Sequence, residues 1–353
     1  MSRRIFINGR FLTQPLTGVQ RYAHELLNAF DVLNPDMELI CLAPPEEFTR
    51  PAWKNIELRI IGRNHGNLWE QVDLPLWLKG EFLFSPCNIG PAFYRNQSVT
   101  FHDASVFAVP QAYSRTFKAK YKFVFQQLAR RAHSIFTDSK FSQHELTRYL
   151  RCDTSRFEVI SLGGDHLQYI QADESFLQTY KLHDQPYILM VASQSPHKNM
   201  PRLLEAIVGL EGETKFALAG GSFKSVFQNI ESQSLPSNVI QLGYINDAKL
   251  KALYEHALGF ILPSYYEGFG LPILEAMNFG CPVISSRAAS LPEVGGEAAL
   301  YFDPFNVADI KEKIAAFISN PLLQEKLRQS GKIHAAQFTW IKTAKRTLEL
   351  LAS

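Results

Sequence analysis

Short apolar runs alternate with helical patterns along this chain, stop once, and then begin again. In the first half, the stretch Met1 to Gly9, Met37-Glu38-Leu39-Ile40-Cys41-Leu42, Glu81-Phe82-Leu83-Phe84, Ser98-Val99-Thr100-Phe101, Ser134-Ile135-Phe136-Thr137 and Phe157-Glu158-Val159-Ile160 predict strands. Gly18 to Phe30 and Tyr113 to Ala132 predict helices between them. The stretch from Gln168 to Gln185 is polar and poorly periodic, as a linker would be. Strands then resume at Tyr187-Ile188-Leu189-Met190-Val191, Lys215-Phe216-Ala217-Leu218-Ala219, Val239-Ile240-Gln241-Leu242, Leu258-Gly259-Phe260-Ile261-Leu262, Pro282-Val283-Ile284 and Ala299-Leu300-Tyr301-Phe302, with a helix from Met200 to Val208. Strands separated by helices pair in parallel, with helices on both faces of the sheet. The expected fold is α/β, with two doubly wound, Rossmann-like domains. They are drawn at residues 1–170 and 186–335, with a linker at 171–185 and a C-terminal helix at 336–353 that packs back on the first domain. Ligands of such sheets bind beyond the carboxyl ends of the strands, so the cleft between the domains is the expected site.

A dinucleotide oxidoreductase needs Gly-x-Gly-x-x-Gly after its first strand. Asn8-Gly9-Arg10-Phe11 stands there instead, and the nearby glycines are wrongly spaced. The 353 residues are 46% hydrophobic and 20% charged, with net charge +2. That balance gives no general reason to bind nucleic acid, and no apolar run reaches the roughly 20 residues of a membrane helix. Met1-Ser2-Arg3-Arg4 turns polar too soon for a signal peptide. Cys41, Cys87, Cys152 and Cys281 lie far apart without paired metal spacing, which suits reduced thiols in a cytoplasmic protein.

The densest chemistry lies in Glu267-Gly268-Phe269-Gly270-Leu271-Pro272-Ile273-Leu274-Glu275, directly after a buried strand ended by Pro263-Ser264. Pro272 suits the first helical position, where its missing N–H costs nothing. Gly268 and Gly270 let backbone approach a ligand, and the N–H groups that open the helix form an anion site. Glu267 stands before that site and Glu275 about one turn inside. A ligand with an anionic middle and hydroxyls at both ends satisfies all three elements, as a nucleoside diphosphate sugar does. An ordinary strand–turn–helix, with Glu275 complementing the helix dipole, is the plainer alternative.

Other candidates follow strands in the same way. Gly18 lies where the first loop becomes a helix, so backbone N–H groups there can face a phosphate. His102 and Asp103 follow Val99-Thr100-Phe101. Lys198 follows Pro196-His197, placed to neutralise charge that grows on a departing group. Gly220 and Gly221 end one strand, and Gly243-Tyr244-Ile245 follows another. The segment from Tyr113 to His133 mixes Arg115, Lys118, Lys120, Lys122, Arg130 and Arg131 with Tyr113, Phe117, Tyr121, Phe123 and Phe125. It can lie on a membrane surface, or be a helix with one core face and one solvated basic face.

These segments resemble the retaining glycosyltransferases of family 4, which have the GT-B fold. The nine-residue segment is similar to that family's Glu-x7-Glu motif. Supporting segments, in chain order, are Leu16-Thr17-Gly18-Val19-Gln20-Arg21-Tyr22, Phe101-His102-Asp103, Thr137-Asp138-Ser139-Lys140-Phe141-Ser142, Ser195-Pro196-His197-Lys198-Asn199, Ala219-Gly220-Gly221, Ser290-Leu291-Pro292-Glu293-Val294-Gly295-Gly296 and Tyr301-Phe302-Asp303-Pro304. The resemblance implies transfer of a hexose or deoxyhexose from a nucleotide diphosphate sugar to a glycan or polyprenol-linked hydroxyl, by a front-face route that retains the α-linkage. It implies that Glu267 and His102 hold the donor sugar. Lys198 and the N–H groups of Gly268, Phe269, Gly270 and Leu271 hold the diphosphate, and Glu275 the ribose. Gly18, Gly220, Gly221 and Ile245 complete the donor pocket, Ile245 near the base. Pro196-His197-Lys198-Asn199 is similar to the Pro-Arg-Lys-Asn version of mannosyl- and rhamnosyltransferases in polysaccharide clusters, which favours GDP-mannose. The family commonly pairs its Lys with an upstream Arg, whereas Ala192-Ser193-Gln194-Ser195 supplies none; Arg202 or His197 are candidate substitutes. No Asp-x-Asp occurs, so neither a metal nor another cofactor is expected. A cytoplasmic enzyme, in reach of the inner face of the cell membrane, is the implied setting. The alternatives are a same-fold phosphorylase or epimerase and a non-catalytic nucleotide-sugar-binding subunit.

Overall fold

The computed structural model describes residues 3–191, 195–210, 214–220 and 235–352. It divides into two units, Met1–Gly163 with Thr339–Ser353, and Gly164–Phe338.

The first unit is built on a parallel sheet of β1 (Arg3–Asn8), β2 (Met37–Ala43), β3 (Ile56–Ile60), β4 (Leu83–Ser85), β5 (Gln97–Thr100), β6 (Ser134–Thr137) and β7 (Phe157–Val159), ordered β3-β2-β1-β4-β5-β6-β7 among the described residues. Its helices include α1 (Gly18–Leu33), α2 (Arg115–Arg131) and α3 (Lys140–Leu150). One core gathers Phe6, Ile40, Leu42, Trp69, Leu74 and Leu83, and another Val99, Phe101, Phe125, Leu128 and Ile135.

The second unit has β8 (Tyr187–Val191), β9 (Lys215–Ala219), β10 (Val239–Gly243), β11 (Gly259–Leu262), β12 (Val283–Ser286) and β13 (Ala299–Phe302), all parallel, ordered β10-β9-β8-β11-β12-β13. Its helices include α4 (Ser175–Thr179), α5 (Met200–Ile207), α6 (Asp247–His256) and α7 (Leu271–Asn278). Residues Tyr187 to Met190 are buried without polar alternation, as a central parallel strand covered on both faces requires. Met200, Leu203, Leu204 and Ile207 recur at helical spacing and join Ile188, Met190, Phe216, Ile261 and Phe317 in the core. Close packing reaches the backbone at Gly259, where a Cβ would lie 2.8 Å from Phe317 Cζ.

One expectation changes here. The stretch drawn as a linker, 171–185, belongs to the second unit: α4 lies within it, and Phe176, Leu177 and Leu182 are buried. The Asp173 N–H also donates to the Ala248 carbonyl, 3.0 Å away. The last helix, α8 (Trp340–Ala352), belongs to the first unit and packs on α1.

Candidate functional site

In the second unit the strand order reverses between β8 and β11. Connections from neighbouring strands diverge at such a point and leave a crevice beyond their carboxyl ends. Lys198 leaves β8 through the turn Pro196–Lys198, and Glu267 follows β11. Their side chains meet, with Lys198 Nζ 2.6 Å from Glu267 Oε1 and exposures of 23% and 15%. Both loops are fixed by backbone contacts. The Tyr265 N–H donates to the His197 carbonyl at 3.0 Å, and Asn199 Nδ2 donates to the carbonyls of Pro263 and Pro304 at 3.1 and 2.7 Å. Asn199 takes φ 58, a left-handed conformation its side chain tolerates. Burial alone would raise the Glu267 pKa. The Lys198 ammonium and its hydrogen bond, with a smaller contribution from His197, outweigh that and hold the carboxyl below its usual 4.5. The carboxylate is therefore ionised at neutral pH.

Gly270 caps α7 with φ 103, and a Cβ there would come within 2.5 Å of Leu291 Cδ2. No other residue type fits both demands. Leu271 is the first helical residue and Pro272 the second, one place later than the sequence suggests. Ser290 Oγ lies 2.9 Å from the Glu267 carbonyl and 2.8 Å from the Phe269 carbonyl. A trans peptide points its N–H opposite its C=O, so the N–H groups of Gly268 and Gly270 face away from Ser290. The helix then adds N–H groups without intrahelical acceptors and the positive end of its dipole. An anion at this end meets backbone donors beside the Lys198 ammonium.

Glu275 stands one turn into α7 and is almost buried. His166 Nε2 is 3.2 Å from Oε1, and the Tyr254 hydroxyl donates to Oε2 at 3.1 Å. Burial, then the Glu275 charge, push the Tyr254 phenol well above its usual range, so it remains a donor. Each carboxylate oxygen keeps further lone-pair capacity for a ligand hydroxyl.

Gly220 ends β9 at φ 140, and its N–H donates to the Gly243 carbonyl at 2.8 Å. Ile245 follows β10, half-buried, one residue before the Asn246 cap of α6. Gly221 and residues 192–194, where the family Arg would stand, lie outside the described residues. Arg202 bonds Asn199 Oδ1 at 3.0 Å and sits 5.6 Å over the Phe305 ring, so it braces the loop of Lys198.

The first unit repeats the reversal between β1 and β4. Arg10 Nη1 and Asn8 Nδ2 bond the two oxygens of Glu70 at 2.9 and 2.8 Å. A cavity of about 470 Å³ opens there, lined by Arg10, Glu70, Asp103, Tyr113, Phe117 and Tyr121 among others. The Tyr113–Phe117 and Phe117–Tyr121 rings stack at 5.1 and 4.0 Å, a spacing of four residues along α2 and its entry. Tyr113, Phe117, Tyr121 and Phe125 thus face the cavity and the core, while Phe123, Arg115 and Arg130 are exposed. Gly18 opens α1, exposed, and a Cβ added there would meet nothing within 4 Å.

His102 sits beyond β5, as expected from sequence, but its ring is engaged within the protein. Nδ1 lies 2.8 Å from Asp138 Oδ2 and Nε2 2.9 Å from the Pro86 carbonyl. Burial alone would lower its pKa, yet the adjacent Asp138 carboxylate leaves it raised. Asp103 instead accepts from the Ser105 N–H at 2.7 Å.

Sequence reasoning did not single out Glu70, Asp138, His166 or Tyr254. Only Asp138 left a signal. The Phe101 N–H donates to the Phe136 carbonyl at 2.8 Å, and the β5–β6 register continues two residues to set His102 beside Asp138.

A family profile for group 1 glycosyl transferases matches residues 172–334. The chain is 29% identical over 363 residues to O-antigen chain mannosyltransferase B of Escherichia coli, covering 95% of each protein. Among solved structures, sucrose-phosphate synthase from Thermosynechococcus elongatus gives a TM-score of 0.78 at 17% identity, covering 100% of this chain and 98% of that one. Anabaena HepE, solved with UDP and glucose, gives 0.75 at 17% identity and covers all of both chains. Two parallel α/β units of this order are the GT-B fold. The chain belongs to the group 1 glycosyltransferases, the retaining hexosyltransferases of family 4, and is related to the O-antigen mannosyltransferases.

Proposed function

We propose that the protein transfers mannose from GDP-mannose to a glycan hydroxyl, free or lipid-linked, with retention at the anomeric carbon and without a metal ion. The observation that carries this reading is the Lys198–Glu267 pair, 2.6 Å apart at the strand reversal, beside the glycine-capped start of α7. A donor diphosphate suits the N–H groups of Gly268 to Leu271 and draws the Lys198 ammonium toward itself. Glu267, released in part, then accepts hydrogen bonds from the sugar hydroxyls. Glu275 accepts from the ribose. As the bond from the anomeric carbon to the diphosphate oxygen breaks, the acceptor oxygen bonds the same face and its proton passes to the departing diphosphate. The protein supplies fixed positive charge where negative charge grows. His102 fits a positioning role in the first unit, since a sugar hydroxyl could reach Nε2 only by replacing the Pro86 carbonyl.

The likeness to O-antigen mannosyltransferase B supports mannose. Exposed Phe93 and Phe123, with Arg131 5.4 Å from the Phe93 ring, support contact with a membrane that carries a lipid-linked acceptor. Among the described residues no helix is long and apolar enough to cross one.

The test is a thermal-shift screen against GDP-, UDP- and dTDP-sugars, followed by transfer assays in EDTA. GDP-mannose should raise the melting temperature most, and transfer should survive chelation. A preference for another base or sugar overturns the donor. Dependence on added Mn²⁺ or Mg²⁺ overturns the metal-free mechanism, and tight donor binding without transfer or hydrolysis indicates a binding subunit.

A further inference from the structure

Glu174, His183 and His256 form a three-ligand cluster outside the donor site. Glu174 caps α4, His183 follows α4 by a short turn, and His256 ends α6. Their ligand atoms all lie within 4.8 Å of one another. His256 Nε2 and His183 Nε2 approach the same oxygen, Glu174 Oε2, at 3.0 and 3.6 Å. The two imidazoles meet edge to face, with centroids 5.0 Å apart.

The backbone around the cluster is fixed. The Lys181 N–H donates to the Gln178 carbonyl and the Leu182 N–H to the Leu177 carbonyl, at 3.0 and 2.9 Å, around Lys181 in the left-handed region. Leu177 and Leu182 are buried on either side of this turn. The Asp173 bond to Ala248 and the Lys249 ammonium, 4.9 Å over the Phe176 ring, hold α4 on α6. His183 and His256 are therefore carried by elements already packed together.

We propose that Glu174, His183 and His256 bind Zn²⁺, with water as the fourth ligand. A tetrahedral ion about 2.0–2.2 Å from each donor holds its ligand atoms roughly 3.3–3.5 Å apart. The observed 3.0 and 3.6 Å bracket that spacing, so small side-chain rotations admit the ion. Two imidazoles and one carboxylate select a borderline transition ion and exclude Mg²⁺ and Ca²⁺, which prefer all-oxygen sets. The bound ion would clasp α4 and the turn after it to the end of α6, within the second unit, and is distinct from the chemistry at Lys198 and Glu267.

The test uses full-length, tag-free protein stripped with EDTA and titrated with ZnCl₂ by calorimetry, with MgCl₂ as control. One high-affinity Zn²⁺ per chain is expected, with no Mg²⁺ heat and a melting temperature raised by about 2–4 °C. His183→Gln, His256→Gln and Glu174→Gln should each weaken Zn²⁺ binding by about tenfold or more. Because all three side chains are exposed, the variants should melt with the wild type in EDTA. Absence of Zn²⁺ binding by the wild type, or unchanged affinity in the His183→Gln/His256→Gln double variant, overturns the proposal. Sugar transfer is read separately and should be unaffected in all three variants.

Discussion

The two strand reversals, one in each unit, make an instructive pair. Each sets a cation from the loop after the first strand against a glutamate: Arg10 with Glu70, and Lys198 with Glu267. The surroundings differ. Glu70 is 2% exposed, holds Arg10 and Asn8 on its two oxygens, and leaves a buried Arg10 Nε unpartnered. Glu267 is 15% exposed, with Lys198 rather than Arg, and lies beside a helix start rich in N–H donors. An Arg fork fixed by a buried carboxylate holds a shape, whereas a Lys is a mobile point charge that can change partners. The same topology thus yields a brace in one unit and an exchangeable pair in the other.

The most severe test of that contrast is Glu70→Ala. Stranding the Arg10 charge should cost about 3–5 kcal/mol of stability, measured by urea unfolding, with nucleoside diphosphate affinity unchanged in the folded fraction. A cost under about 1 kcal/mol would deny Glu70 the role of brace. Lys198→Ala should do the reverse, lowering kcat by roughly 10²-fold or more while costing about 1 kcal/mol or less of stability. Transfer at the wild-type rate would remove Lys198 from the reaction.

Glu275→Ala should weaken free nucleoside diphosphate binding by about 1.5–3 kcal/mol, the worth of hydrogen bonds to a charged group. Calorimetry showing equal affinity in a folded variant would end the ribose assignment. The pH dependence gives a smaller effect. The folded-state pKa of Glu267 is depressed, so its contribution is complete above the usual value of 4.5 and is lost as pH falls through the lower folded value. Glu267→Gln should therefore lose less stability than the wild type as pH falls from the usual value of 4.5 through the lower folded value, and parallel acid limbs would contradict the pairing. The mildest change is Gly18→Ala, where the open space around the Cβ position predicts a gain of about 0.4–1 kcal/mol. A fall in transfer despite that gain would show that the glycine serves a ligand.

Most of the fold was legible because central parallel strands are short, unbroken apolar runs; Tyr187 to Val191 and Lys215 to Ala219 match their observed bounds. The strand Ile56–Ile60 escaped notice because it is a short edge strand, buried only at Ile56, with Glu57 and Arg59 interrupting its apolar residues. The segment 171–185 reads as a linker because only Phe176, Leu177 and Leu182 anchor it, too few for a periodic pattern. At the site, contiguous residues such as Glu267 to Glu275 announced themselves. Their partners did not: Lys198 meets Glu267 across 69 positions, and Tyr254 meets Glu275 across 21. His102 shows the same limit, since its place beyond a strand was readable but the two oxygens that claim its ring were not.

The return of α8 to the first unit has a consequence for the order of events during synthesis. Residues 164–338 form a continuous stretch and can complete their core as soon as that stretch leaves the ribosome. The first unit is made earlier yet lacks Trp340, Ala344, Thr347 and Leu351, all buried, until α8 emerges. Trp340 lies 6.1 Å from Tyr22, whose ring in turn meets His102 at 4.6 Å. The unit that begins first should therefore finish last, and its His102 pocket should mature only after the second unit has folded.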